Sequence, residues 1–301
     1  MRCPFLKEVE VASCRSSAFR KPIVAPPRGT ADGLCTSPEY AGCRVYLEHR
    51  VEDADGAHSC PYLERSLVQY CAAASPQKFI PYSESLLSRC GTGNHRYCDS
   101  FLLLRDAGKQ AAEPEAEGIP VPRDLEFSSN HMWMASGEDG SCHAGIDAFA
   151  ARVLGGIERI TFVTMNGFQR PAAVLTVRGV DLSMVFPRRM SIQNVNTRLR
   201  GCPETIQSSP YDHGWLFEGT QAPAAPEPDS LLRGQAALEW MRGEADRLSR
   251  FAHAEAGAHS SGEPADGGVF AHDFVEHLDR ESLLRLFNEF FSPYASPAVC
   301  L

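Results

Sequence analysis

The 301-residue chain reads as an α+β protein, and three observations carry that reading. Residues 131 to 220 hold short apolar runs of strand length, broken at close intervals by turn residues. Residues 229 to 293 switch to apolar side chains at helical spacing. Residues 1 to 106 show neither pattern but hold eight of the 11 cysteines.

Composition excludes several classes. With 43% hydrophobic and 22% charged residues the chain has enough apolar content for about two domains of ordinary size. No run approaches the roughly 18 apolar residues of a membrane span. The start, Met1-Arg2-Cys3-Pro4-Phe5-Leu6-Lys7-Glu8, turns charged before an apolar leader core can build up. The expectation is a cytoplasmic protein. Residues 1 to 110 carry 14 basic against 12 acidic side chains, and the remainder 15 against 26. An acidic second part repels phosphate backbones, so no nucleic-acid partner is expected. The lysines are Lys7, Lys21, Lys78 and Lys109, and none follows.

The cysteines of residues 1 to 106 fall twice into one pattern. Cys3, Cys14, Cys35 and Cys43 are separated by 11, 21 and 8 positions, and Cys60, Cys71, Cys90 and Cys98 by 11, 19 and 8. The flanking text repeats as well. Cys3-Pro4-Phe5-Leu6 answers Cys60-Pro61-Tyr62-Leu63, Lys21 and Ile23 answer Lys78 and Ile80, and Tyr46-Leu47 answers Phe101-Leu102. This is an internal duplication, of residues 1–50 in 58–106. Repeated four-cysteine sets in a reducing compartment point to metal before disulfides, with reduced structural or redox thiols as the alternative. Four thiolates can close a tetrahedral zinc site or hold an iron-sulfur cluster. Taken in chain order, the expectation is two metal centres, one per repeat. His95, three residues before Cys98, has Tyr40 as its counterpart and reads as a loop histidine. Val9 to Ser13 and Leu67 to Tyr70 alternate over too few residues to separate strand from helix.

Residues 107 to 130, rich in Ala, Glu, Pro and Gly at their start, read as a linker. Beyond it, turns are expected at Gly137 to Gly140, Met165 to Gly167 and Pro210 to Gly214. Asp147 to Leu154 reads as a short helix with Asp147 as N-cap and Gly155 as C-cap. Strands are expected at Ile160 to Val163, Ala173 to Val177, Leu182 to Phe186, Ile192 to Val195 and Trp215 to Phe217. His131, Trp133, Tyr211 and Trp215 read as core or strand-pairing residues, and Cys142 and Cys202 as small buried ones.

Several stretches carry a family resemblance. His131-x-Trp133, Gly137 to Gly140, Gly145-Ile146-Asp147-x-Phe149-Ala150, Leu154-Gly155-x-Ile157, Val195-Asn196 and Pro210-Tyr211-x-x-Gly214-Trp215-Leu216 resemble, in order and nearly in spacing, the H protein of the glycine cleavage system. The resemblance spans about residues 131 to 217. It implies a lipoyl-type fold, a flattened β-barrel or hammerhead, in which a hairpin presents a lysine for lipoylation. Aligned back from Val195-Asn196, the family's Glu-Ser-Val-Lys-Ala segment falls on Thr176-Val177-Arg178-Gly179-Val180. Gly179 then occupies the lysine position, beside Arg178. Arginine stays a protonated guanidinium and is no nucleophile, so no lipoate is expected.

In the C-terminal part, Leu231, Leu238, Met241, Ala245, Leu248 and Ala252 predict a helix from about Ser230 to His253. Leu278, Leu283, Leu286, Phe287 and Phe290 predict a second, ended by Pro293. The second helix either packs on the central unit or binds a partner. No Ser/His/Asp constellation, Walker loop or dinucleotide fingerprint is present, and no independent catalytic activity is expected. The sequence therefore points to an H-like domain degenerate for lipoylation, docking a protein partner through that domain or the C-terminal helix, with metal-binding cysteine repeats. The alternative is an iron-sulfur electron-transfer component that docks to an oxidoreductase through the same domain.

Overall fold

The computed structural model describes residues 1–16, 22–23, 33–49, 58–76, 78–82, 88–105, 113–222, 231–259 and 274–292. The chain divides into two compact units, Met1–Gly91 and Thr92–Leu301. The division cuts the second cysteine repeat, whose last third belongs to the larger unit.

The smaller unit is built on an antiparallel ribbon. Strands β1 (Leu6–Cys14) and β3 (Leu63–Cys71) pair over their whole length, from Leu6 opposite Cys71 to Cys14 opposite Leu63. The short strands β2 (Pro22–Ile23) and β4 (Lys78–Ile80) flank them in the order β2-β1-β3-β4. The two alternations too short to classify are thus the central strands. A helix, α1 (Arg44–Glu48), follows a 3-10 turn at Pro38–Gly42.

The duplication is visible in matched backbone bonds. Cys60 N donates to Cys35 O at 2.9 Å, and Cys3 N to Cys90 O at 3.0 Å. Arg15 N donates to Tyr62 O at 2.9 Å, and Ala72 N to Phe5 O at 2.8 Å. In each repeat the fourth cysteine starts a helix, since Leu47 N bonds Cys43 O and Leu102 N bonds Cys98 O. The second of these helices is α2 (Asp99–Arg105). Even the ring contacts match: Tyr40 meets Tyr46 edge-on at 4.9 Å and His95 meets Phe101 edge-on at 4.8 Å. His95 is buried, with Nδ1 2.8 Å from Thr92 O, so it has a structural place.

In the larger unit, the described part of the stretch expected as a linker, residues 113–130, is built into the fold. Strands β5 (Glu115–Ala116), β6 (Ile119–Pro120) and β7 (Glu126–Phe127) form there. Ala116, Ile119, Val121, Leu125 and Phe127 are buried in the main core. The Ala, Glu and Pro composition concealed five apolar anchors at close spacing. Residues 106–112 lie outside the described residues.

The central region forms β8 (Met132–Ser136), β9 (Ser141–Ile146), α3 (Ala148–Leu154), β10 (Ile157–Val163), β11 (Phe168–Gln169), β12 (Ala172–Val177), β13 (Val180–Val185), β14 (Met190–Val195), α4 (Thr205–Ser208) and β15 (Phe217–Gln221). With β16 (Leu232–Arg233) they make a seven-stranded sheet, β11-β14-β15-β9-β8-β7-β16, and a three-stranded one, β10-β12-β13. Every pairing is antiparallel. Among the described residues these sheets do not close, so two sheets stand where the resemblance implied a flattened barrel. Pro171 and Pro187, which have no N–H, bracket the β12–β13 hairpin and end its ladder.

Helix α3 begins as expected. Asp147 caps it by accepting from Ala150 N at 2.8 Å, and Gly155 ends it at φ 62. A cap of this kind contributes about 1 kcal/mol. Between β8 and β9, Gly145 lies under the indole of Trp133, where a Cβ would come within 2.9 Å of the ring. Trp133 and His131 are fully buried, whereas Cys202, expected inside, is exposed beside the turn at Gly201.

The two C-terminal helices, α5 (Gln235–His259) and α6 (Arg280–Phe290), pack on this core. Ala237, Met241 and Leu248 of α5 join it, as do Leu283, Leu286, Phe287 and Phe290 of α6. Each large apolar side chain buried this way contributes about 1.5–3 kcal/mol, so the broad apolar face of α6 is satisfied within the chain. No helix among the described residues is long and apolar enough to cross a membrane.

Candidate functional site

The expected carrier tip is the turn between β12 and β13. Val177 pairs with Val180, leaving Arg178 and Gly179 as a two-residue loop at φ 50 and 71. Two positive φ values in succession match the right-handed twist of a hairpin and explain the glycine. A Cβ on Gly179 would meet nothing within 4 Å, so the position faces open space. Gly179 N donates to Glu158 Oε2 at 3.2 Å.

Arg178 is tied down. Its guanidinium donates to Val275 O at 2.9 Å and also to Leu278 O, both at the 3-10 turn that precedes α6. The C-terminal segment therefore grips the tip through two carbonyl oxygens. Sequence reasoning found the arginine but not its partner, because nothing in the local text links positions about a hundred apart.

A second constellation was missed as such. His131, in the left-handed region at φ 59, places Nδ1 2.8 Å from Asp147 Oδ2 and Nε2 3.4 Å from Glu244 Oε2. Arg247 Nη1 reaches Glu244 at 2.7 and 2.8 Å, and its Nη2 donates to Glu289 O at 3.0 Å. His131 stacks on Phe149 at 4.1 Å and lies against Trp240 and Phe291. Burial by itself lowers the His131 pKa, but Asp147 and then Glu244 outweigh it and hold the imidazole at about 9. Burial raises Glu244, yet His131 and Arg247 bring its carboxyl below the usual range. His131, Asp147 and Glu244 are buried, Arg247 is mostly so, and the cluster ties together β8, α3, α5 and α6, which is a structural arrangement.

Tyr211 is similarly integrated. It donates to Pro120 O at 2.8 Å and accepts from Ala148 N at 3.0 Å, while burial and Asp147 push its hydroxyl up.

The eight repeat cysteines do not group in chain order. Cys14 and Cys71 end β1 and β3, at opposite ends of the ribbon. Cys3 sits at the Leu6 end, since Leu6 N bonds Cys3 O, and Cys60 sits at the Leu63 end by the matching bond. Leu6 to Cys14 is eight strand steps, about 27 Å at about 3.4 Å each. Cys3 is therefore not beside Cys14, Cys35 and Cys43, and the expected first set is corrected. Cys60 instead packs with Tyr40 and Tyr46, and Cys35 and Cys43 lie against this small core. Burial and the neighbouring Cys60, Cys43 and Cys14 thiols push the Cys35 thiol up. By the same length argument Cys60 is far from Cys71, while Cys3 and Cys90 are hydrogen-bonded through their backbones. Cys98 belongs to the larger unit. No disulfide is formed among the ten described cysteines. Among the described residues no three His, Cys, Asp or Glu side chains are gathered so as to hold a metal ion as they stand.

Comparison with known proteins gives one consistent family. The glycine cleavage H-protein family model matches residues 125–244. The glycine cleavage system H protein of Marinobacter nauticus is 30% identical over 102 residues, which are 33% of this chain and 78% of that protein. The counterpart from Neisseria gonorrhoeae is 29% identical over 119 residues, 38% of this chain and 88% of that protein. The crystal structure of a glycine cleavage system H protein from Mycobacterium marinum aligns with 41% of this chain and 99% of its own, at 22% identity and a TM-score of 0.35.

Proposed function

The chain belongs to the glycine cleavage H-protein family, and from that premise we propose that it is a docking or scaffold member of the family that carries no lipoyl group. One observation carries this reading. The hairpin tip presents Arg178-Gly179, no lysine follows Lys109, and the Arg178 side chain is spent on the carbonyls of Val275 and Leu278. Lipoylation needs a free amine at that tip, and a guanidinium committed to its own chain supplies none. What remains is the H-type surface, available to proteins that recognise such domains.

The cysteine repeats belong to the same proposal as metal-binding elements, with zinc or an iron-sulfur cluster as occupant. Burial, and then the neighbouring thiols, keep the Cys35 thiol protonated, and a cation taking the proton's place offsets both.

Intact-mass analysis after co-expression with a lipoate ligase tests the first part. The unmodified mass is expected, and a lipoyl adduct mapped within residues 131–220 would overturn it. Docking is tested by biolayer interferometry against the other proteins of a glycine cleavage system. Binding to at least one is expected, and no binding to any removes the docking role.

A further inference from the structure

The ribbon of the smaller unit determines which cysteines can share a metal, and this deepens the metal-binding reading, on which it rests. A tetrahedral site with metal–sulfur distances of about 2.3 Å needs its four sulfurs within about 3.8 Å of one another. Cys3 and Cys14 fail that requirement by the length of β1, as Cys60 and Cys71 fail it by the length of β3. A centre made from one repeat alone is therefore impossible on this backbone.

We infer that Cys14, Cys35, Cys43 and Cys60 form one tetrathiolate metal centre, in which the fourth ligand crosses over from the other repeat. Cys14 is paired with Leu63, three residues from Cys60, so both reach the same end of the ribbon. Cys60 is fastened to the loop bearing Cys35 by its backbone N, 2.9 Å from Cys35 O. Cys43 starts α1 with its carbonyl accepting from Leu47, and packs with Cys35 against buried Cys60, Tyr40 and Tyr46. The two rings meet edge-on at 4.9 Å and provide an apolar wall, which strengthens thiolate–metal attraction. The four thiols are not convergent as they stand. Bringing them together takes side-chain rotation and a shift of the Cys35–Cys43 loop, which metal binding drives as each thiol gives up its proton.

The crossing explains the duplication. A ligand that crosses an antiparallel ribbon shared by two copies lets the metal hold the copies together, and neither copy then needs a core of its own. The bond from Cys3 N to Cys90 O has the same crossed sense.

Zinc retained by the full-length chain after a chelator challenge is the measurement, on protein expressed in zinc-supplemented medium. Cys14→Ser and Cys60→Ser are each expected to lower retained zinc by about one equivalent, and the double variant C14S/C60S by the same single equivalent. A loss of two equivalents in the double variant would place the two cysteines in different centres and overturn the grouping while leaving metal binding intact. Retention of neither zinc nor iron by the wild-type chain would overturn metal binding itself. Iron with acid-labile sulfide in place of zinc supports the same four ligands around a cluster, provided the variants lose it in the same pattern. A variant-free check is gentle oxidation of the metal-free wild-type chain with peptide mapping. Disulfides within Cys14, Cys35, Cys43 and Cys60 are expected, and a Cys3–Cys14 disulfide would contradict the backbone on which the inference stands.

Discussion

The imidazole of His131 and the carboxylate of Asp147 meet at 2.8 Å with both side chains fully shielded from solvent. On the far side of the same ring lies Glu244, at 3.4 Å. An imidazole with an acceptor at each nitrogen satisfies both only as imidazolium, because the neutral ring has a single donor. The pair therefore sits inside the protein as a charged group. Glu244 and Arg247 extend it into a cluster of alternating sign that clamps α5 to β8 and α3. Asp147 serves twice, since its other oxygen caps α3.

Stability should consequently depend on pH on the alkaline side. The His131 pKa is raised from 6.5 to about 9, so the folded state holds a proton that the unfolded state gives up earlier. Its contribution is complete below about 6.5 and lost as pH rises through about 9. The shift corresponds to an upper bound on the order of 3 kcal/mol. Glu244 acts in the opposite direction, since its lowered pKa gives stability that is present above about 4.5 and lost as pH falls through the folded value. Urea unfolding between pH 4 and 10 should show a plateau with decline at both ends. A wild-type curve that is flat from pH 7 to 9.5 would contradict a charged His131.

Removing one member of the cluster should cost more than removing a surface ion pair. Glu244→Ala leaves Arg247 and the Nε2 side of His131 without their carboxylate in a buried setting, a loss of about 3 kcal/mol. Glu244→Gln keeps an acceptor and should lose less. Chemical denaturation of the two variants gives the comparison, and an alanine variant within about 0.5 kcal/mol of wild type would mean that the cluster does not clamp α5.

Arg178→Ala should free the C-terminal turn without unfolding the hairpin. Two hydrogen bonds from a charged donor to Val275 and Leu278 are lost, each worth about 1.5–3 kcal/mol. The Val177–Val180 pairing does not depend on the side chain. Hydrogen exchange should accelerate in the peptides covering 274–279 and stay unchanged in β12 and β13. Uniform acceleration across the domain would show that Arg178 supports the fold as a whole.

Legibility of these features followed the range of the interactions that make them. Helix α3 with its Asp147 cap and Gly155 stop was legible because capping is local, and most of the central strands because alternation is local. The hairpin tip at Arg178-Gly179 was located through the family resemblance, by counting back from Val195-Asn196, and the two-residue turn stands at that position. By contrast, residues 113–127 looked like a linker because their apolar anchors are spaced by Pro and Gly and form only two-residue strands. His131 was read as core, but its bonds to Asp147 and Glu244 come from elements 16 and 113 residues away. The separation of Cys3 from Cys14 was hidden for the same reason. The repeat was plain in the text, but which cysteines share an end of the ribbon depends on β1 pairing with β3, and a strand's partner is not written in its own residues.

If, as proposed, this domain carries no lipoate, replacing Gly179 with lysine should show whether the amine absent from the tip is the reason. The position has φ 71, so a side chain there costs on the order of 1 kcal/mol in backbone strain, but a Cβ meets nothing within 4 Å. The tip should therefore accept Gly179→Lys with the hairpin intact. Co-expressed with a lipoate ligase, the variant is expected to gain a lipoyl mass that maps to residue 179, while wild type does not. If the variant folds and stays unmodified, the amine is not the limiting loss, and the grip of Val275 and Leu278 on Arg178 becomes the obstacle. Adding Arg178→Ala to Gly179→Lys then separates the two, since releasing the C-terminal turn should restore modification if that segment shields the tip.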